Sequence, residues 1–313
     1  SQIGEVIKAG FPSMKLFTTN IRPAVVPKKY GVDMGRVAHM MEQVAANGGI
    51  LMVHAEDDEI VMYNHERLQA ENRIGFQYLP LVHSKMSEDV SFRRVIRVAQ
   101  WTNCAVYMVH VSAKEGVGAI EEARAQGLPV YGETLHNYAS FTAEDYSRPH
   151  GEIYQTFPSL KYDEDRTALW NGLLTGSISC MSTDETCTSF EMKTSGKTIW
   201  DVVGGHLGTE TRVGITYTEG VVNRGMTLQR FVDVIATNAA KIFGLYPRKG
   251  VIAPGSDADI VFIDPNFRKK LTLDDLHASD YSIWEGWEVA GWPVFTMIRG
   301  EVMLEDRKLV GKQ

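Results

Sequence analysis

Two stretches decide the fold: Ile50-Leu-Met-Val-His-Ala-Glu56 and Cys104-Ala-Val-Tyr-Met-Val-His-Val-Ser112. Each is a run of apolar residues closed by a histidine, then a short polar turn, then a helical pattern. Strand, ligand-capable side chain, loop and helix thus occur twice in the same order. Either histidine alone, His54 or His110, reads most simply as a hydrogen-bonded core residue. In a parallel barrel, however, the C-terminal strand ends converge on one cavity, where two such imidazoles can reach one metal ion.

The same alternation extends on both sides. Short strands are predicted at Met14–Thr19, Ile50–His54, Cys104–Val111, Pro129–Glu133 and Ile178–Ser182. Between them, apolar residues recur with helical spacing over Asp33–Ala46, Glu56–Arg73, Ser87–Thr102, Ala113–Gln126 and Asp163–Thr175. Glycines at 48–49, 127 and 176 supply stops, and Ser87 with Glu88 and Asp89 supplies a helix start. A loop is expected around Pro80, and Thr227–Phe243 reads as one helix ending at Gly244. Strands separated by helices of ten or more residues imply βαβ units and a parallel sheet. No strand is followed by G-x-G-x-x-G or a Walker sequence, so a nucleotide-binding sheet lacks its marker. After about residue 247 the texture changes to turns and short strands, with a hairpin at Trp292–Glu305 around Arg299-Gly300. The expected division is therefore 1–247, an α/β barrel, and 248–313, a small β-rich appendage.

Composition sets the outer limits. A chain of 313 residues with 44% hydrophobic and 23% charged residues has the make-up of a globular protein. A net charge of −7 without a basic tract argues against nucleic acid or an anionic membrane as partner. No stretch nears the roughly 18 consecutive apolar residues of a membrane span. Cys104, Cys180 and Cys187 form no C-x-x-C pair, which points to a reducing cytoplasm. Ser1–Gly10 is no signal peptide and reads as the tail of a helix, so a segment upstream is expected.

The chain resembles a known family, the cyclic amidohydrolases of the hydantoinase and dihydropyrimidinase group. The matching stretches are Ser13-Met-Lys-Leu-Phe17, Val53-His-Ala-Glu56, Val109-His-Val-Ser-Ala-Lys-Glu115, Glu133-Thr134 and Ser182-Thr-Asp184. They continue through Gly208-Thr-Glu-Thr-Arg212, Ala239–Pro247, Gly255-Ser-Asp-Ala-Asp259 and Arg299-Gly300. The resemblance runs nearly end to end and keeps its order. It implies a (β/α)8 TIM barrel, here strands four to eight, with a small β-sandwich. It also implies a site for two divalent metal ions, usually zinc. Lys15 would be the lysine carboxylated on its amine to bridge the metals. His54 and His110 would be ligands of one metal. Asp184 would ligate the other and shuttle protons. The chemistry suits these residue types: neutral imidazoles and anionic oxygens bind zinc, and an aspartate beside the activated water can move its proton. Outside that resemblance, Lys15 reads as a surface lysine and Asp184 as a turn or cap aspartate.

The departures are as informative. The His-x-His pair of the family's first strand is absent, and only five barrel strands are counted, so an N-terminal segment carrying strands one to three is expected. At the substrate, Asn20 stands where the family has tyrosine. Phe157-Pro-Ser-Leu-Lys161 replaces Ser-Pro-Pro-Leu-Arg, and Gly204-Gly205 replaces Asn-Gly. Asp184-Glu-Thr186 replaces Asp-His-Cys. Asn20, Phe157, Gly204, Gly205 and His206 are therefore the expected substrate-binding positions. The implied activity is hydrolysis of a small cyclic amide, by a homotetramer. The alternatives are a non-catalytic scaffold like the collapsin-response mediators, or an allantoinase, dihydroorotase or deacetylase. His136 is expected to support the site, and Cys187 to pack. His39, His65, His83, His150 and His277 are expected in solvent. Trp284, Trp287 and Trp292 are expected to pack the tail on the barrel or on a neighbouring subunit.

Overall fold

The computed structural model describes residues 2–20, 33–277 and 280–311. By contacts the chain forms two units. The first is Ser1–Ile178 with Asp184–His206, and the second is Ser179–Thr183 with Leu207–Gln313.

In the first unit, helix α1 (Gln2–Lys8) precedes strand β1 (Ser13–Phe17); Ser1 lies outside the described residues. Helix α2 (Met34–Ala46) begins where the Asp33 carboxylate accepts the Arg36 N–H, and it buries Val37, Met41 and Val44. Strand β2 is Ile50–His54. Helix α3 (Asp58–Ala70) is capped by Asp57. The segment around Pro80 is not the expected loop. A 3₁₀ turn, Phe76–Tyr78, runs into a short helix α4 (Leu79–Val82). Pro80 sits in its first turn, where a missing N–H loses nothing. Helix α5 (Lys85–Thr102) starts two residues earlier than the sequence suggested, because Ser84 rather than Ser87 accepts the capping bond.

Strand β3 is Ala105–Met108, shorter than expected. The reason lies at His110, whose φ of 41° takes the chain out of the extended region before the histidine is reached. Helix α6 (Lys114–Ala125), strand β4 (Val130–Leu135) and helix α7 (Asp163–Thr175) follow. Gly176 closes α7 at φ 105°, a conformation that needs glycine. Helix α8 is Phe190–Ser195, and strand β5, Cys180–Ser182, belongs to the second unit. Within the first unit the strands follow the order of the chain, β1-β2-β3-β4. Strands β1 to β4 pair in parallel, with Phe17 opposite His54 and Val53 opposite Met108. The wholly buried Leu51, Val53, Val106 and Met108 on β2 and β3 explain why these strands read as unbroken apolar runs.

In the second unit, helix α9 (Thr209–Thr216) passes into a π-helical turn. The helix expected over Thr227–Phe243 is present as three abutting pieces, Leu228–Val232, Asp233–Thr237 and Asn238–Ile242, with a π turn in the middle. Strands β6 (Ile260–Lys270), β7 (Glu288–Ile298), β8 (Glu301–Glu305) and β9 (Lys308–Leu309) form one antiparallel sheet. The β7–β8 hairpin turns at Arg299-Gly300, both at positive φ, as a two-residue turn requires. Trp284 is buried, and Trp292 lies against Gly214 of α9. No helix among the described residues is long and apolar enough to cross a membrane.

Candidate active site

A cavity of about 190 Å³ is lined by Lys15, Phe17, His54, His110, Phe157, Asp184, Thr186, Gly204 and Gly205. That is room for about six waters. Seven of these nine were singled out from the sequence as site residues by their chemistry or position: Lys15, His54, His110, Phe157, Asp184, Gly204 and Gly205. Asn20 and His206 do not line it. Asn20 donates its backbone N–H to Asp58 Oδ1 (2.8 Å), and the carbonyl of the buried His206 accepts from Thr186 N (3.4 Å). Phe17 and Thr186 line the cavity and were not foreseen. Phe17 follows Lys15 by two residues on the same strand, so period-2 alternation puts both on one face. Thr186 belongs to the Asp184-Glu-Thr186 departure noted in the sequence, though it was not named as a site residue.

The rings are closely arranged. Phe17 stacks on His54 at 4.8 Å, and His110 stands edge-on to His54 at 4.5 Å. Lys15 Nζ lies 5.1 Å from the Phe17 ring centre. His54 and His110 are both buried, while part of Lys15 and Asp184 meets solvent. His54 directs Nε2 to Glu56 Oε2 at 3.0 Å, which leaves Nδ1 for another partner. His110 Nδ1 is buried without a hydrogen-bond partner. His110 and Asp184 both hold positive φ, 41° and 45°, an uncommon state for residues other than glycine.

Beneath the cavity lies a network the sequence did not disclose. Glu56 is wholly buried and accepts from His54 and from His83 Nδ1, the latter at 3.0 Å. His83 and His65, expected in solvent, are only 1% and 3% exposed. His83 is held by Glu56 and by the Phe157 ring at 4.9 Å, and His65 stacks on Trp200 at 4.2 Å. His39, His150 and His277 are exposed, as expected.

Electrostatics follow from this packing. Burial, then the neighbouring His54 and Lys15, holds the His110 imidazole well below its usual range and so neutral. Burial lowers the Lys15 amine, with Asp184 and Glu133 pulling it part of the way back. Burial pushes the Glu56 carboxyl up, but His83 and His54 together hold it well below the usual carboxylate range.

Among the described residues, no three His, Cys, Asp or Glu side chains stand close enough to hold one metal ion. The donor set still fits one. Two imidazoles lie side by side, one with a buried unpartnered nitrogen, and Asp184 and Lys15 line the same cavity. Lys15 as an ammonium would repel a cation; as a carbamate it would be an anionic ligand.

The sequence profile of the amidohydrolase family matches residues 32–303. The D-hydantoinase of Streptomyces coelicolor is 31% identical, over 98% of this chain and 66% of that protein. The D-hydantoinase of Geobacillus stearothermophilus is 32% identical, over 90% and 61%. The solved D-hydantoinase (dihydropyrimidinase) from Thermus sp. superposes with a TM-score of 0.93 at 31% identity, over 99% of this chain and 68% of that one. The chain spans about two thirds of the length of these relatives. Its fold is the amidohydrolase α/β barrel type, with an antiparallel β appendage. Proteins of this family are generally dependent on divalent metals. The chain belongs to the amidohydrolase family, in its hydantoinase and dihydropyrimidinase branch.

Proposed function

We propose that this chain carries the core of a metal-dependent hydrolase that opens small cyclic amides at a non-peptide C–N bond. The cavity shared by Lys15, His54, His110 and Asp184 carries this reading. The names of its relatives, D-hydantoinase and dihydropyrimidinase, support the substrate class.

Divalent metals, zinc by the chemistry of the donors, would supply a water of lowered pKa and polarise the amide carbonyl. Lys15, carboxylated on its amine, would bridge two ions. The lowered amine pKa favours the neutral form that reacts with carbon dioxide. His54 and His110 would be neutral ligands, with Glu56 fixing the His54 ring. Asp184 would accept a proton from the attacking water and return it to the leaving ring nitrogen, so the opened product departs as a neutral amide nitrogen with a new carboxylate. Phe157, Gly204 and Gly205 would form the wall against which the ring sits. Residues 1–247 would be the catalytic barrel and 248–313 part of the sandwich domain, in a cytoplasmic tetramer.

The test is hydrolysis of hydantoin and dihydrouracil by full-length protein of measured metal content. Ring opening that tracks bound metal is expected. A folded, metal-loaded protein that opens neither ring, nor any other cyclic imide of a panel, overturns the reading.

A further inference from the structure

Lys193 of α8 is fully buried, an unusual place for a lysine. Its ammonium donates to the carbonyls of Gln155 (2.6 Å) and Val203 (2.6 Å) and to that of Gly205. An ammonium has three hydrogens, and each has an acceptor. The two segments it joins are the ones that build one side of the cavity. Gly204 and Gly205 line it, and Gln155 stands two residues before Phe157, which also lines it. Gln155 Oε1 also accepts the Val203 N–H at 2.8 Å, so the segments are tied twice.

The energetics say the tie has a use beyond packing. A buried charge is expensive unless its donors are satisfied, and an apolar residue of similar size would fill the space without that penalty. Burial draws the Lys193 amine down to about 7. The nearby buried His206 is held neutral by burial first and then by Lys193 itself. What a methionine could not do is bring three carbonyls from two segments to one point.

We propose that Lys193 is a positioning residue of the substrate pocket, tying segment 155–157 to segment 203–205 and so setting the width of the space beside Phe157. The claim that this space receives substrate rests on the hydrolase reading; the tie does not.

Lys193→Met removes the three donors at similar volume. Hydrogen exchange in full-length protein should then rise at least tenfold at amides 203–206 and 155–157, while strands β1 to β3 keep wild-type rates. With hydantoin as probe, KM should rise at least tenfold and kcat change less than threefold. Lys193→Arg, which keeps charge and donors, should recover part of both. If the Met variant does not fold, Lys193→Gln, with two amide hydrogens left, is read the same way. Unchanged exchange in the two segments overturns the proposal. So does a uniform rise along the chain, or raised exchange with an unchanged KM. A wild type without hydrolytic activity would defeat the hydrolase reading, and exchange would still decide whether Lys193 makes the tie.

Discussion

Adding one methyl group at Gly204 should narrow the cavity. Gly204 is not in the left-handed region, so its backbone accepts alanine. The new Cβ would lie 2.4 Å from Phe157 Cδ2 and 2.8 Å from Cε2. Ordinary carbon contacts sit at about 3.5–4.0 Å, so the ring must give way by about 1–1.5 Å. His83 also packs on this ring, its ring centre 4.9 Å away and its Nδ1 fixed to Glu56 at 3.0 Å, which limits how far the ring can move. Phe157 and Gly204 both line the cavity, so the added volume falls at its wall. Overpacking of this kind costs about 1–3 kcal/mol. If the penalty falls on substrate binding, KM for hydantoin rises about 5- to 150-fold. The assay pairs initial rates with urea unfolding for Gly204→Ala, Phe157→Ala and the double variant. Because the two groups touch, the cycle should show coupling of about 1 kcal/mol or more, with Phe157→Ala restoring binding to the Gly204→Ala protein. KM and unfolding midpoint both within twofold and error of wild type, or strictly additive effects, would refute the reasoning.

Other perturbations have equally definite signs. Glu56 has its pKa depressed in the folded state, so its stabilisation is fully present above the unfolded value near 4.5 and is lost as pH falls through the lower folded value; Glu56→Gln should flatten that acid limb in urea midpoints taken from pH 7 to 3.5, and an unchanged limb would count against it. Removing one partner of this buried cluster should also cost about 3–5 kcal/mol at neutral pH. Two helical glycines should respond oppositely to alanine. At Gly118 nothing lies within 4 Å, so helix propensity should stabilise by about 0.5–1 kcal/mol; at Gly214 the Cβ would meet the Trp292 ring at 2.1 Å, and overpacking of about 1–3 kcal/mol should outweigh that gain. Chelation should abolish hydrolysis and added zinc restore it, while His110→Ala should lower bound metal, read by elemental analysis, without loss of far-UV circular dichroism.

Local signals were legible in the sequence, and distant ones were not. Helix α2 was bounded by its Asp33 cap and Gly48-Gly49, and α7 by Gly176, because caps and stops act over one turn. Strand β2 was read to the residue because burial on both faces leaves an unbroken apolar run. By contrast, His83 sits 27 residues from Glu56, and Lys193 sits 38 from Gln155. Nothing in their neighbours' spacing reveals a partner that far away. A histidine after Val82 and a lysine in a polar stretch both look like surface residues until the fold closes over them. The cavity-lining histidines that were legible, His54 and His110, announced themselves by closing apolar runs.

The backbone at two of those positions carries the last step of the argument. Most non-glycine residues at positive φ here sit in turns or helix ends, Asn72, Asn103 and Asp306 among them, where the conformation ends an element. His110 and Asp184 instead follow strands and face one cavity. Such conformations cost about 1–3 kcal/mol each and persist only where surroundings enforce them. After His110 the enforcing group is Glu88, buried, whose carboxylate accepts Ser112 N at 3.1 Å and Ala113 N at 3.0 Å. Beside Asp184 it is the loop that Lys193 holds: Gly205 lies against Thr186, and Thr186 N reaches His206 O. Each strained residue thus stands beside a segment fixed by a buried ionisable group, two expensive devices that packing alone does not require. Side chains held toward one cavity do require them, since a strand that simply continued would point the imidazole and the carboxylate elsewhere.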